Sequence, residues 1–122
     1  MSGGPDREDV PAAMQALYDR YFQSKAYQQR YPRPNQGTLA CVEKVIAACA
    51  LQRQGPLRVV DVGCGNGRYT VELVRRTQAH ITANDISAQA LAELRERLDA
   101  DRIPALRVRL VHGATEELPQ EA

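Results

Sequence analysis

The sequence predicts an α/β fold: a parallel sheet of about three strands, ordered βαβαβ, preceded by two helices. Three observations carry this. Apolar residues in the first third recur at helical spacing. From residue 57 onward, short β-branched runs alternate with helical stripes. Three glycines fall directly between the first of those runs and the helix after it.

Composition narrows the class. The chain has 122 residues, of which 43% are hydrophobic and 25% charged, which fits one folded domain and excludes wholesale disorder. Sixteen Lys and Arg against fifteen Asp and Glu leave a formal charge of +1, so no basic nucleic-acid footprint exists. No apolar run approaches the ~20 residues that span a bilayer. Neither nucleic acid nor membrane is therefore expected as a partner. The opening MSGGPDREDV carries no charged-then-apolar signal pattern. Cys41, Cys49 and Cys64 form no CxxC pair, and a reducing cytoplasm is the simplest compartment. Arginine outnumbers lysine fourteen to two. The excess suits either anion recognition or compositional bias, and its scatter among balancing acids favours the second.

Residues 1–9 read as a flexible leader and 10–55 as a helical segment. Asp9 is a plausible N-cap with Pro11 in the first turn, and Met14, Leu17, Tyr18, Tyr21 and Phe22 follow at helical spacing. This helix is expected to reach about Gln29, with Tyr18, Tyr21 and Phe22 in the core. Pro32 and Pro34 break it. In the second helix Leu39, Val42, Ile46 and Cys49 form one stripe, and Cys41 and Cys49 are expected to pack there. Gly55-Pro56 ends it.

Residues 56–122 then carry the sheet. Leu57–Val62 is the first strand, Arg68–Thr77 a helix, and Ala79–Asp85 the second strand. Ser87 caps a helix with the stripe Leu91, Leu94 and Leu98, in which Glu93 and Arg97 can pair. Leu106–Val111 alternates as the third strand.

The stretch Asp61-Val62-Gly63-Cys64-Gly65-Asn66-Gly67-Arg68 lies at the first strand–helix junction. Glycine there permits positive φ and close approach of a ligand to the backbone, and the helix start offers free N–H groups. A ligand site is expected at the carboxyl end of that strand. The dinucleotide pattern GxGxxG would place its third glycine at Arg68, and a Walker loop needs Lys followed by Ser or Thr, so neither fits. The second acid, Asp85, ends the next strand 24 residues beyond Asp61, where a carboxylate can accept from ribose hydroxyls. Within the loop, Cys64 is either an activated nucleophile or, more simply, a small side chain in a tight turn. His80 and His112 have no Cys or carboxylate at ligand spacing, so no metal is expected.

The run VVDVGCGNGRYT, an acid followed by GxGxG after a strand, resembles the class I S-adenosylmethionine-dependent methyltransferases. The resemblance covers roughly residues 36–119. It implies a Rossmann-like parallel sheet and S-adenosylmethionine as cofactor. It also implies methyl transfer, with a small-molecule acceptor favoured over nucleic acid. By resemblance Gly63, Gly65 and Gly67, with Cys64 in the same loop, cradle the methionine portion. Asp61 orders the loop and helps bind the amino end, Asp85 holds the ribose, and Ile86 walls the adenine. The segment His112–Pro119 should reach the adenine, but Ala114 stands where the family has Asp, leaving that contact to the backbone or to Thr115. The cluster Tyr27, Arg30, Tyr31, Arg33 and Asn35 is a candidate lid.

No residue is assigned as a catalytic base, because the family carries such groups on later strands. Three strands are fewer than that family's sheet contains, and the first strand becomes an edge. The chain is therefore expected to be a shortened half, to pair with a separate C-terminal half, or to dimerise. A non-catalytic S-adenosylmethionine-binding module, or a partner subunit of a split enzyme, is the alternative function.

Overall fold

The computed structural model describes residues 9–23 and 33–118. Four α-helices and three strands follow one another as α1 (Asp9–Gln23), α2 (Gln36–Ala50), β1 (Arg58–Val62), α3 (Arg68–Arg76), β2 (His80–Asp85), α4 (Ala88–Ala100) and β3 (Val108–His112). Short 3-10 turns occupy Ala105–Arg107 and Thr115–Glu117. The expected end of the first helix at Gln29, the side chain of Phe22 and most of the leader lie outside the described residues.

The strands are parallel, in the order β1-β2-β3. Val59 pairs with Ile81 and Ile81 with Val108; Asp61 pairs with Ala83 and Ala83 with Leu110. Because side chains alternate along a strand, these two rows share one face. On that face Ile81, Ala83 and Val108 join Val71 and Val74 of α3 and Leu91, Leu94 and Leu98 of α4 in one core. Val60 and Val62 point to the opposite face and remain 40% and 52% exposed. β1 is thus an edge strand among the described residues, as the sequence predicts.

Helix ends are set locally. Asn35 caps α2 by accepting from the Thr38 N–H at 2.9 Å. Ser87 caps α4 by accepting from the Ala90 N–H at 3.1 Å. The end of α3 is closed by a distant side chain: the Arg107 guanidinium donates to the carbonyls of Val74, Thr77 and Ala79 at 2.9–3.1 Å. This satisfies carbonyls that a helix terminus leaves open, and places positive charge at the negative end of its dipole.

Four expectations need correction. Cys41 and Cys49 are exposed; only Leu39 and Ile46 of α2 are buried, and both cysteines fall on the outer flank. The third strand begins at Val108, because Leu106 and Arg107 belong to a 3-10 turn and Leu106 is 89% exposed. Tyr18 is 41% exposed and so is not core. Arg97, expected to pair with Glu93, reaches the Asn66 carbonyl at 3.2 Å.

Candidate functional site

The site forms where β1 and β2 end. β1 runs into three glycines with positive φ: Gly63 at 67°, Gly65 at 59° and Gly67 at 86°. Two bonds fasten this loop to β2: the Cys64 N–H donates to the Asn84 carbonyl at 2.9 Å, and the Gly65 N–H to Asp85 Oδ2 at 2.8 Å. The other oxygen, Asp85 Oδ1, accepts from the Ser87 N–H at 2.9 Å. One buried carboxylate thereby fixes both the glycine loop and the entry to α4. Hydrogen bonds from backbone N–H groups to a carboxylate are among the stronger ones.

The next layer comes from β3. Asn84 Nδ2 donates to the Val111 and Gly113 carbonyls at 3.0 and 3.1 Å. The Gly113 N–H donates to the Asp85 carbonyl at 3.0 Å. His112 Nε2 lies 3.0 Å from the Ile86 carbonyl. The turn after β3 is therefore laid beside Asp85 and Ile86.

These segments line a half-open cavity of about 650 Å³, within the range of small-molecule sites. Gly63, Gly65, Asn84, Asp85 and Ile86 line one side, and Gly113, Ala114, Thr115 and Glu116 another. The remaining wall is α1, through Pro11, Met14, Tyr18 and Tyr21. These four recur at i, i+3, i+7 and i+10, a single helical stripe. Asp19 holds α1 in place: its Oδ1 accepts from the Ser87 hydroxyl and, at 3.1 Å, from the Gln89 N–H at the start of α4.

Six of the residues singled out from sequence thus meet at the cavity: Gly63, Gly65, Asp85, Ile86, Ala114 and Thr115. Asp61, Cys64 and Gly67 do not line it. Asp61 Oδ2 accepts from the Thr70 hydroxyl at 2.5 Å, behind the loop. Burial pushes the Asp61 carboxyl above the usual carboxylate range and the Asp85 charge adds to this, while the Thr70 bond opposes it. Cys64 belongs to the core, and burial raises its thiol well above the usual range, with the Asp61 and Asp85 charges adding to it. A thiol held protonated is a poor nucleophile, which leaves the small-side-chain reading. Gly67 is packed against α4: a Cβ there would stand 2.2 Å from Leu94 Cδ1.

Of the candidate lid, Tyr27, Arg30 and Tyr31 lie outside the described residues. Asn35 is a helix cap whose N–H donates to the Tyr69 hydroxyl at 3.1 Å, and the Arg33 carbonyl accepts from Arg68 at 3.0 Å. Sequence reasoning passed over the wall that does form. The α1 stripe was legible as a face, but helical periodicity does not say whether a face meets core or cavity. Asp19 left no signal at all, since a carboxylate in mid-helix reads as solvated.

A family model described as a methyltransferase domain matches residues 59–122, just over half the chain. Trans-aconitate 2-methyltransferase of Rhodopseudomonas palustris (strain BisB18) is 54% identical over 44 residues, which are 35% of this chain and 17% of that protein. Ribosomal protein L11 methyltransferase of Prochlorococcus marinus (strain MIT 9313) is 34% identical over 71 residues, 57% of this chain and 24% of that protein. The chain thus spans less than a quarter of the length of these curated relatives. Among solved structures, magnesium protoporphyrin IX methyltransferase from Synechocystis PCC 6803, crystallised with bound S-adenosylmethionine, superposes with a TM-score of 0.66 at 16% identity. The match covers 98% of this chain and 60% of that one. The bifunctional kinase-methyltransferase WbdD gives a TM-score of 0.58 at 22% identity, over 76% of this chain and 20% of that one. At these identities the structural likeness speaks for the fold, and the family match speaks for descent. With its glycine loop and following acid in register with that match, the chain belongs to the class I S-adenosylmethionine-dependent methyltransferase family.

Proposed function

We propose that this chain is the cofactor-binding part of an S-adenosylmethionine-dependent methyltransferase acting on a small molecule. The observation that carries the reading is the bond from the Gly65 N–H to Asp85 Oδ2 at 2.8 Å, which holds an open glycine loop against a carboxylate at the mouth of the cavity. The donor set suits the cofactor. Gly63 has nothing within 4 Å of where a Cβ would stand, so the backbone is open to close approach. Asp85 uses one bond on each oxygen and retains lone pairs for ribose hydroxyls. Ile86 and Ala114 offer apolar surface to a purine. Glu116 on the same rim, together with Thr115, supplies acceptors where the family's Asp is replaced by Ala114. Asp61 acts one step back, setting the loop through Thr70.

When bound, S-adenosylmethionine supplies an activated methyl group on a sulfonium centre. The protein's own part is to orient the two reactants and exclude water, and orientation alone can contribute ~7–11 kcal/mol. The glycine loop and Asp85 fix the cofactor side, and α1 walls the acceptor side. A small-molecule acceptor is supported by the size of the cavity and by the relative named for trans-aconitate. The formal charge of +1 gives no support to nucleic acid as a partner. Among the described residues no helix is long and apolar enough to cross a membrane, and the three cysteines are free, which suits a cytoplasmic setting.

Titration of the purified chain with S-adenosylhomocysteine in a calorimeter tests the reading. One saturable site is expected, with affinity reduced at least tenfold in Asp85→Ala and less in Asp85→Asn, which keeps an acceptor oxygen. Absence of binding by a chain that shows a cooperative thermal transition would overturn it.

A second reading has its own support. Val60 and Val62 leave apolar surface bare on an edge strand, a surface suited to a further strand and covering helices. A second copy, or a separate polypeptide carrying the rest of the sheet, would complete it, and this chain would then be a binding module or a partner subunit. Light scattering that gives a stable monomer with full methyl transfer would exclude this second reading.

A further inference from the structure

We infer that Asp19 is a positioning residue that couples α1 to the cofactor carboxylate Asp85, so that the bound cofactor and α1 hold each other in place; this rests on the cofactor reading above. The link is a continuous run of hydrogen bonds. Asp19 Oδ1 accepts from the Ser87 hydroxyl and, at 3.1 Å, from the Gln89 N–H. The Ser87 N–H donates to Asp85 Oδ1 at 2.9 Å, and the Gly65 N–H donates to Asp85 Oδ2 at 2.8 Å. Three segments far apart along the chain thus meet at one serine: α1, the start of α4 and, through Asp85, the glycine loop. Gly65 and Asp85 line the cavity on one side, and Pro11, Met14, Tyr18 and Tyr21 of α1 line it on another. A shift of Ser87 therefore reaches both walls.

The seat of α1 depends on this link because its packing is thin. α1 lies against α4, yet none of the side chains described between Pro11 and Tyr21 is buried. Met14, Leu17 and Tyr18 are exposed. A helix that buries so little apolar surface belongs to the elements that open at low free-energy cost. Asp19 offsets this by bringing a charged acceptor to two donors at the start of α4. The first N–H groups of a helix have no partner within it, and its dipole favours an anion there. The Ser87 hydroxyl is used twice, donating to Asp19 and accepting from the Ala90 N–H at 3.1 Å. Both its proton and a lone pair are thereby directed, which fixes the residue whose N–H aims Asp85. A ligand held by Asp85 meets the α1 wall only while α1 is seated. Linkage makes the effect reciprocal: the factor by which seating α1 tightens the ligand is the factor by which the ligand favours the seated state.

The test pairs calorimetric titration of S-adenosylhomocysteine with amide hydrogen exchange of α1, on the full chain and its variants. In the parent chain, saturating S-adenosylhomocysteine is expected to slow exchange in α1 at least fivefold. Asp19→Ala should weaken S-adenosylhomocysteine at least fivefold and cut its slowing of α1 to less than twofold. Asp19→Asn, which keeps an acceptor oxygen, should restore most of both effects. Ser87→Ala keeps the N–H to Asp85 and loses only the hydroxyl, so it should act in the same direction as Asp19→Ala. The double variant should lose less than the product of the two single losses, because both remove one link. This cycle also keeps the test open should any single variant fail to show a cooperative thermal transition, since Asp19→Asn with Ser87→Ala then reads the same coupling. An Asp19 that served stability alone would speed α1 exchange in the free chain while leaving affinity and the ligand-dependent slowing intact, and that result overturns the inference. So do fully multiplicative losses, or a parent chain that binds S-adenosylhomocysteine without slowing in α1. A folded parent chain that binds no S-adenosylhomocysteine overturns the cofactor reading and this inference with it; binding by the parent with unchanged affinity in Asp19→Ala overturns the inference alone.

Discussion

The two sides of the glycine loop differ in what holds them. On the cavity side, Gly63 has open space around it, and Gly65 and Asp85 are joined by hydrogen bonds. On the core side, Gly67 is wedged against Leu94, Cys64 is buried, and Asp61 has a single hydroxyl donor from Thr70. All three glycines share a positive φ, and all belong to one motif. The difference teaches that a glycine motif combines two demands. One end of the loop is glycine so that a ligand can approach; the other is glycine so that two helices can.

The largest expected effect tests the core side. Gly67→Ala forces its Cβ into Leu94 at a φ of 86°, so overpacking and left-handed strain add, at about 3 kcal/mol together. Urea denaturation should show a large fall in the midpoint. Gly63→Ala has only the φ penalty, ~1–2 kcal/mol, because nothing lies within 4 Å. Its larger consequence should be weaker S-adenosylhomocysteine binding, since the new methyl group occupies the approach to the loop. Equal destabilisation by the two variants would break the comparison.

Ser87→Ala comes next. It removes the cap on the Ala90 N–H and the hydroxyl that donates to Asp19, at a cost of ~1 kcal/mol. Loss of the tie to α1 should also speed S-adenosylhomocysteine dissociation, measured by stopped-flow displacement. An unchanged dissociation rate would mean that α1 does not close the site.

The smallest effect concerns Asp61. Its carboxyl is raised by burial, so the fold favours the protonated form. The stability this contributes is fully present below the ordinary carboxylate range and is lost as pH rises through the raised value. Asp61→Asn keeps an oxygen for the Thr70 hydroxyl and does not ionise. The variant should therefore gain on the parent chain as pH rises from acid to neutral, read from urea midpoints at several pH values. A constant difference across that range would show that Asp61 does not titrate as described.

Much of the site was legible. Gly63, Gly65, Asp85 and Ile86 are read from local pattern, because a strand that ends in glycines before a helix has few geometries open to it. The order of elements follows from hydrophobic period, and Ser87 as a cap follows from its place before an apolar stripe. What escaped the sequence lies between elements distant along the chain. Arg107 closing α3, Asp19 anchoring α1, and Leu94 pressing on Gly67 are each contacts between segments 27 to 70 residues apart. Tyr18 shows the limit within a single helix, where a stripe is certain and its neighbour is not.

The sequence by itself determined the α/β order, the glycine loop with its following acid, and the family, because each depends on short-range backbone preference and local spacing. Only the tertiary structure decided that Asp85 clamps the loop, that Gly67 serves packing while Gly63 faces the cavity, and that α1 forms the third wall. The physical reason is that these depend on which side chains come within a few ångströms of one another, and that is fixed by the packing of helices on the sheet.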